Sequence, residues 1–245
     1  MEVHHALWSD RLETVQTGES ASQRIFGGSF YEHLSRNHAA GALFDQAMAG
    51  GGWIRHRLRP AAEAYDCGKF GSIVDIGGGN GTLMVELLKA NPQPMGTVFD
   101  VPRLAAAAQA TLTAAALTGR CDFVAGDAFE AVPVGRDAYI LSNFVNSFSD
   151  NDALVVLRNC RSAISSDGKL LLLEWVLASG DEERDGYRFW DTVTMDLVML
   201  AAFGRDGGRL RTRSEFESLL QAAGFNVTAL IPTRGSICVI EAEPT

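Results

Sequence analysis

The sequence predicts an α/β fold: a mostly parallel seven-stranded sheet with helices on both faces, closed by a C-terminal antiparallel hairpin and preceded by short N-terminal helices. Three observations carry this. After about residue 70, short apolar runs alternate with helical stretches, the pattern of a parallel sheet covered by helices. The first of these runs ends in a glycine-rich turn that opens directly into a helix. The last two runs follow one another with a short turn between them, so they pair antiparallel.

Before the sheet, apolar residues recur at helical spacing. Leu7, Leu12 and Val15 form one run, Phe26, Phe30 and Leu34 a second, Leu43, Phe44 and Met48 a third, and Ile54 and Leu58 a fourth. Gly18, Gly27-Gly28 and Gly50-Gly51-Gly52 separate them, and glycine ends helices at little steric cost. Residues 1–68 therefore read as a segment of three or four short helices, and residues 69–245 as the sheet-bearing domain. In that domain Ser72 to Ile76 is a strand and Thr82 to Lys89 a helix. Gly96 to Phe99 is a strand ending at Asp100, and Leu104 to Leu117 an alanine-rich helix. Asp122 to Ala125 is a strand leading to Gly126-Asp127. Ala138 to Leu141 is a strand, Asp150 to Ile164 a helix, and Lys169 to Val176 a strong strand. Arg188 to Ala202 and Arg213 to Ala223 are helices, the second stopped by Gly224. Phe225 to Ile231 and Ser236 to Glu241 form the hairpin around Pro232-Thr233-Arg234-Gly235.

A chain of 245 residues can bury a sizeable core, and its 47% apolar content is that of a globular protein. The net charge of −9 argues against a nucleic-acid binder, which needs a basic face. No apolar run is long enough to span a bilayer, and Met1-Glu2-Val3-His4-His5 has neither the basic nor the apolar region of a secretory leader. The expectation is a cytoplasmic protein with no membrane contact. Cys67, Cys121, Cys160 and Cys238 form no CxxC pair, so no zinc or redox motif is signalled. They are expected to be free, partly buried thiols, and no metal is expected.

The chemistry concentrates in Asp75-Ile76-Gly77-Gly78-Gly79-Asn80-Gly81. Glycines let the backbone approach a ligand without a Cβ in the way. The helix N-terminus behind them offers free N–H groups to an anionic group. A dinucleotide loop would read G-x-G-x-x-G, but the sixth position from Gly77 is Thr82 and from Gly79 is Met84. The spacing is D-x-G-x-G-x-G. A carboxylate at Asp75 suits the amino group of S-adenosylmethionine (SAM) and would repel a phosphate. Asp100 ends the next strand, placed to take both ribose hydroxyls, and Asp127 ends the third, placed to accept from the adenine amino group. Three acids after three successive strands, with the closing hairpin, predict the Rossmann-like fold of class I SAM-methyltransferases.

From Leu7 onward the chain resembles the natural-product O-methyltransferases, both plant phenolic and bacterial polyketide or anthracycline types. Phe44-Asp45-Gln46-Ala47-Met48, the glycine loop, Gly126-Asp127-Ala128-Phe129, Ser149 to Leu154, Leu172-Leu173-Glu174, Asp196 to Leu200 and Gly207-Gly208-Arg209-Leu210-Arg211-Thr212 carry the likeness, and Arg161 follows it. The resemblance implies cofactor binding by Asp75, Gly77, Gly78, Gly79, Asp100, Val101, Asp127, Ala128, Phe129, Ser142 and Asn143, with Met48 near the methyl donor. It implies an acceptor pocket lined by Phe30, Tyr31, Phe148, Met195 and Met199; the alternative for these apolar residues is ordinary core.

Two departures bear on mechanism. Family members with a catalytic base have a histidine in a block like V-L-H-D-W; here the block is Phe144-Val145-Asn146-Ser147-Phe148. Their glutamate in G-x-E-R-T corresponds to Leu210. Glu174 remains, either catalytic or simply a strand-end carboxylate. All five histidines, His4, His5, His33, His38 and His56, precede the sheet. The family also usually begins with a winged-helix domain that dimerises and covers the acceptor pocket. Either this sequence is trimmed, or its gene is short and a homodimer or a separate chain supplies the lid.

The expected activity is SAM-dependent O-methylation of a phenolic or polyketide-like small molecule in secondary metabolism, yielding S-adenosylhomocysteine. Asn146, Ser147 and Glu174 are the candidate catalytic residues. A general base typically contributes about 10²–10⁴-fold, but an acidic phenol already partly ionised does not require one. Two alternatives stand beside this. One is a SAM-binding enzyme turned to hydroxylation, decarboxylation or pericyclic chemistry. The other is the SAM-binding subunit of a heteromeric methyltransferase.

Overall fold

A computed structural model of the chain describes residues 2–48, 50, 58–178 and 186–245. Four consecutive leucines show how its sheet is built. Leu170 and Leu172 pack into one helical layer, and Leu171 and Leu173 into the other, because successive strand side chains point to opposite faces. A continuous apolar run is the signature of a strand covered on both sides.

The strands are β1 (Ser72–Ile76), β2 (Met95–Asp100), β3 (Cys121–Ala125), β4 (Ala138–Ser142), β5 (Lys169–Leu177), β6 (Arg211–Thr212), β7 (Phe225–Pro232) and β8 (Ile237–Pro244). Their order is β3-β2-β1-β4-β5-β8-β7. The pairs from β3 to β5 are parallel, whereas β8 runs antiparallel to both β5 and β7. The hairpin turn is held by Thr233, whose hydroxyl donates to the Ile237 carbonyl (2.7 Å) and accepts from the Gly235 N–H (3.0 Å). Beyond the seven expected strands, two-residue β6 pairs with the end of β5, Val176 opposite Arg211. A strand this short has no periodicity to read.

Helices α6 (Arg59–Ala64), α7 (Thr82–Ala90) and α8 (Ala105–Ala114) cover one face, packing Ala61, Leu83, Met84, Leu87 and Leu112 against Ile73, Val98 and Ile140. Helices α9 (Asp150–Ala163) and α11 (Arg213–Ala222) cover the other, packing Val156, Leu157, Phe216 and Leu220 against Val74, Tyr139 and Ile240. The long α10 (Gly186–Phe203) reaches from the end of β5 to the N-terminal helices. There Leu7, Ala21, Phe30, Leu34 and Ala202 form a third buried cluster.

Five helices precede residue 49, more than the three or four expected: α1 (Glu2–Ser9), α2 (Arg11–Thr17), α3 (Ala21–Phe26), α4 (Phe30–Arg36) and α5 (His38–Met48). The Leu7–Val15 run splits at Asp10, whose carboxylate takes two hydrogen bonds from the Arg24 guanidinium (2.8 and 2.6 Å). Gly18 and Gly27 end α2 and α3 in the left-handed conformation. A capping box of Ser29 and Glu32 starts α4. Ile54, His56 and the Gly51-Gly52 break lie outside the described residues. All four cysteines are buried rather than partly so. No described helix is long and apolar enough to cross a membrane.

Candidate active site

The strand order reverses between β1 and β4, which leaves a crevice at their carboxyl ends. The glycine loop leaves β1 there and is tied to β2 by Gly77 N–H donating to the Phe99 carbonyl (2.8 Å). Gly77 has φ +71°, and a Cβ on it would lie 2.4 Å from the Phe144 ring. Gly79 has φ +61° and faces open space, with nothing within 4 Å of where a Cβ would stand. At the start of α7, the Asn80 side chain accepts from the Thr82 N–H (3.3 Å), so one of the N–H groups expected to be free already has a partner.

Asp75 is almost wholly buried, and its Oδ2 has no hydrogen-bond partner among the described residues. Burial first, and then the charge of Asp100, push its carboxyl up to about 8. Asp100 accepts from the Gly79 N–H on Oδ2 (2.8 Å) and from the Val101 N–H on Oδ1 (2.7 Å). Burial raises the Asp100 carboxyl above its ordinary range, against the pull of those two N–H groups. Arg103, just past β2, pairs with Asp45 and so brings α5, which ends at Met48, to this side of the sheet. Asp127 is exposed and accepts from the Phe129 N–H (2.9 Å); Ala128 is buried, its carbonyl taking a hydrogen bond from Asn159 (2.8 Å).

Ser142 ends β4, and Asn143 follows it with φ +50°, a conformation costly for a residue with a Cβ. The buried Trp175 offsets the cost by donating its indole N–H to Asn143 Oδ1 (2.9 Å). Trp175→Phe is expected to lower stability by about 1–2 kcal/mol and to weaken cofactor binding several-fold. Urea denaturation and SAM calorimetry read the two effects.

The turn Phe144–Phe148 forms the other wall. Asn146 is buried at 4% exposure, and its Oδ1 accepts from the Ser147 hydroxyl (3.2 Å). Glu174 is not a strand-end residue: it sits inside β5, fully buried. Its Oε1 accepts from the N–H groups of Phe144 (3.0 Å) and Val145 (2.8 Å), while Oε2 has no partner among the described residues. Burial pushes its carboxyl up to about 7, opposed by backbone N–H groups of the turn and the Arg211 charge. Leu210, at the position of the family glutamate, is buried in the core among Trp175 and Val239.

Aromatic rings bridge the turn to the N-terminal helices. Phe148 stacks on Tyr31 (centroids 6.0 Å apart) and meets Phe129 (5.1 Å) and Phe144 (5.0 Å). Tyr31 keeps one flank open, at 38% exposure, but its hydroxyl end lies among protein groups. Burial raises its phenol above the ordinary value; the Ser147 hydroxyl eases the shift, and the charges of Asp100 and Glu174 add to it. Phe30 is buried in the third cluster, edge-on to Tyr31, Phe44 and Phe203. Met195 and Met199, on α10, are partly buried and pack against the core cluster that holds Trp175 and Leu210. His33 stacks on Phe26 (3.8 Å) in the helical segment.

The residues of the crevice fit SAM. A buried carboxylate oxygen without a partner suits an ammonium group, and the open face of Gly79 admits a ligand close to the backbone. Asp100 keeps acceptor capacity on both oxygens after its two N–H bonds. Fold and site together define a class I methyltransferase with SAM as its cofactor. The chain belongs to the O-methyltransferase domain family, which it matches over residues 8–226. It is 37% identical over 243 residues to the phenazine O-methyltransferase PhzM of Lysobacter antibioticus, covering 99% of this chain and 68% of that protein. Among solved structures, LaPhzM matches with a TM-score of 0.88 at 36% identity, over 99% of this chain and 70% of that one. The O-methyltransferase NcsB1 of neocarzinostatin biosynthesis, solved with SAM and 2-hydroxy-5-methyl naphthoic acid, matches at 0.86 and 30%, over 100% of this chain and 70% of that one. This chain is a SAM-dependent O-methyltransferase, and its relatives serve secondary metabolism.

Arg211, Asp150 and Gly208 shape the turn and were assigned no role from sequence. The Gly207–Thr212 block was legible as a motif. What its two arginines touch was not.

Proposed function

We propose that the chain O-methylates a phenolic or polyketide-like aromatic molecule of secondary metabolism, by proximity and desolvation and without a histidine base. The observation that carries this is the buried Asn146 where relatives with a base have histidine, backed by an apolar Leu210 where they have glutamate. The names of two relatives support a fused-ring acceptor, since one is a phenazine enzyme and the other was solved with a naphthoic acid.

SAM supplies a methyl group activated by its sulfonium. Asp75 and the loop Gly77-Gly78-Gly79 hold its amino-acid end, and Asp100 with Val101 holds the ribose. Asp127, Ala128 and Phe129 take the adenine, Ser142 and Asn143 close the crevice, and Met48 lies near the methyl donor. On the acceptor side Asn146 and Ser147 orient the hydroxyl by hydrogen bonds, and neither accepts a proton at neutral pH. Glu174 keeps the turn in place. Tyr31 and Phe148, together with Phe30, Met195 and Met199, exclude water from the reacting oxygen, which strengthens every polar contact there. In this division residues 1–68 contribute Phe30 and Tyr31 to the acceptor pocket, and residues 69–245 hold the cofactor and the rest of the acceptor side, with a second copy or a separate chain covering the pocket.

Asn146→Ala is expected to slow turnover roughly tenfold, the worth of one hydrogen bond, with SAM affinity unchanged. A loss of about 10⁴-fold or more would show a base-like role and end the proximity reading. Mass spectrometry of the turnover mixture is the parallel check: without S-adenosylhomocysteine there is no methyl transfer.

A further inference from the structure

We infer that Arg211 is a positioning residue for methyl transfer: with Glu174 it clamps the Phe144–Phe148 turn from opposite sides and so sets the aim of Asn146 and Ser147. This rests on the reading of that turn under Proposed function.

Arg211 is fully buried. One of its terminal nitrogens donates to the Val145 carbonyl (2.8 Å) and the other to the Phe148 carbonyl (3.0 Å). These carbonyls bracket Asn146 and Ser147. Asp150, at the start of α9, fixes the guanidinium by accepting from Nε (2.9 Å) and a terminal nitrogen (2.7 Å) on one oxygen. Arg209 steadies Asp150 on the other oxygen (3.2 Å). From the opposite side Glu174 takes the N–H groups of Phe144 and Val145. The turn's N–H groups therefore meet a buried acid, and its carbonyls a buried cation.

A third wall is Gly208. A Cβ there would stand 2.6 Å from the Asn146 carbonyl oxygen and 2.7 Å from that of Ser147. Burying two opposite charges is a poor way to gain stability, since a packed apolar pair serves as well or better. Both charges here are spent on the backbone of one short turn. The guanidinium's planar fork matches two carbonyls at fixed spacing, which a lysine ammonium does not. A site that works by alignment instead of by a base depends on such fixing.

The test combines variants in a double-mutant cycle with purified protein, read by SAM calorimetry and by kcat on an accepted phenol. Arg211→Lys is expected to lower kcat about 10²-fold and leave SAM affinity within about twofold. Combined with Asn146→Ala, it should be no slower than Arg211→Lys alone, because the clamp acts through that residue together with Ser147. Asp150→Asn sits at a half-exposed position and removes the charge that aligns the guanidinium. It should lower kcat about three- to tenfold in the same non-additive way, and it decides the matter if Arg211→Lys does not fold. Wild-type kcat in the folded variants, or effects that multiply with Asn146→Ala, overturns the clamp. Full activity in Asn146→Ala alone instead overturns the reading of the turn, and the clamp with it.

Discussion

Asp75→Asn is expected to weaken SAM binding by about 10–10²-fold, the worth of a charge-assisted hydrogen bond, while making the cofactor-free protein more stable. The two effects have one cause. The Asp75 carboxyl is buried beside Asp100, and its Oδ2 finds no donor among the described residues. Folding therefore raises it to about 8, from near about 4 in an unfolded chain. Between those values the folded state binds the proton more tightly. The group's contribution to stability is present in acid, falls as pH rises through this window, and is flat above about 8. Asparagine carries no such penalty, so the variant should melt higher at neutral pH.

An ammonium ligand requires the ionised form, so binding below pH 8 must expel a proton. SAM affinity should climb with pH, by up to about tenfold per unit, and level off near 8. Calorimetry in buffers of different ionisation enthalpy counts the proton directly. Asp75→Asn should bind with no proton release and a flat pH profile. Wild-type affinity in the variant, or unchanged proton release, would place the ammonium contact elsewhere.

Gly208→Ala is expected to cost about 10²-fold in kcat and about 1–3 kcal/mol of stability, with SAM binding nearly intact. The new Cβ would lie 2.6 Å from the Asn146 carbonyl oxygen and from the Ser147 carbonyl carbon. Real carbon contacts do not approach so closely, and both neighbours are backbone, so no flexible side-chain end can move aside. Either the loop before β6 retreats or the turn shifts, and Asn146 loses its aim either way. Gly119→Ala is the control, since nothing lies within 4 Å of its Cβ position. Equal kcat for the two variants would show that the turn tolerates displacement.

Where sequence and structure agree, the responsible pattern is local. Leu170 to Leu173 read as a doubly covered strand because the apolar run is uninterrupted. The Asp75–Gly81 loop was legible because glycine spacing and a strand-end acid are properties of adjacent residues. Helix α2 was harder. Leu12 and Val15, read there as one run with Leu7, are 68% and 57% exposed, and the helix breaks at Asp10, whose carboxylate meets Arg24 of α3. For Glu174, the sequence left open whether it is catalytic or a plain strand-end group. Only its place inside β5, under the turn, shows its carboxylate taking backbone N–H groups.

The sequence alone determined the layered α/β plan, the glycine loop proposed to take SAM and the presence of Asn146 and Leu210 where the family resemblance expects a histidine and a glutamate. Periodicity, glycine spacing and residue identity are written along the chain, and each acts over a few neighbours. The tertiary structure decided how the Phe144–Phe148 turn and its neighbours are held. Arg211 joins the Val145 and Phe148 carbonyls to Asp150, Trp175 steadies the left-handed Asn143, and Gly208 presses on the turn. Every backbone carries the same carbonyls and N–H groups whatever its side chains, so nothing in the sequence marks which of them a distant charge will find.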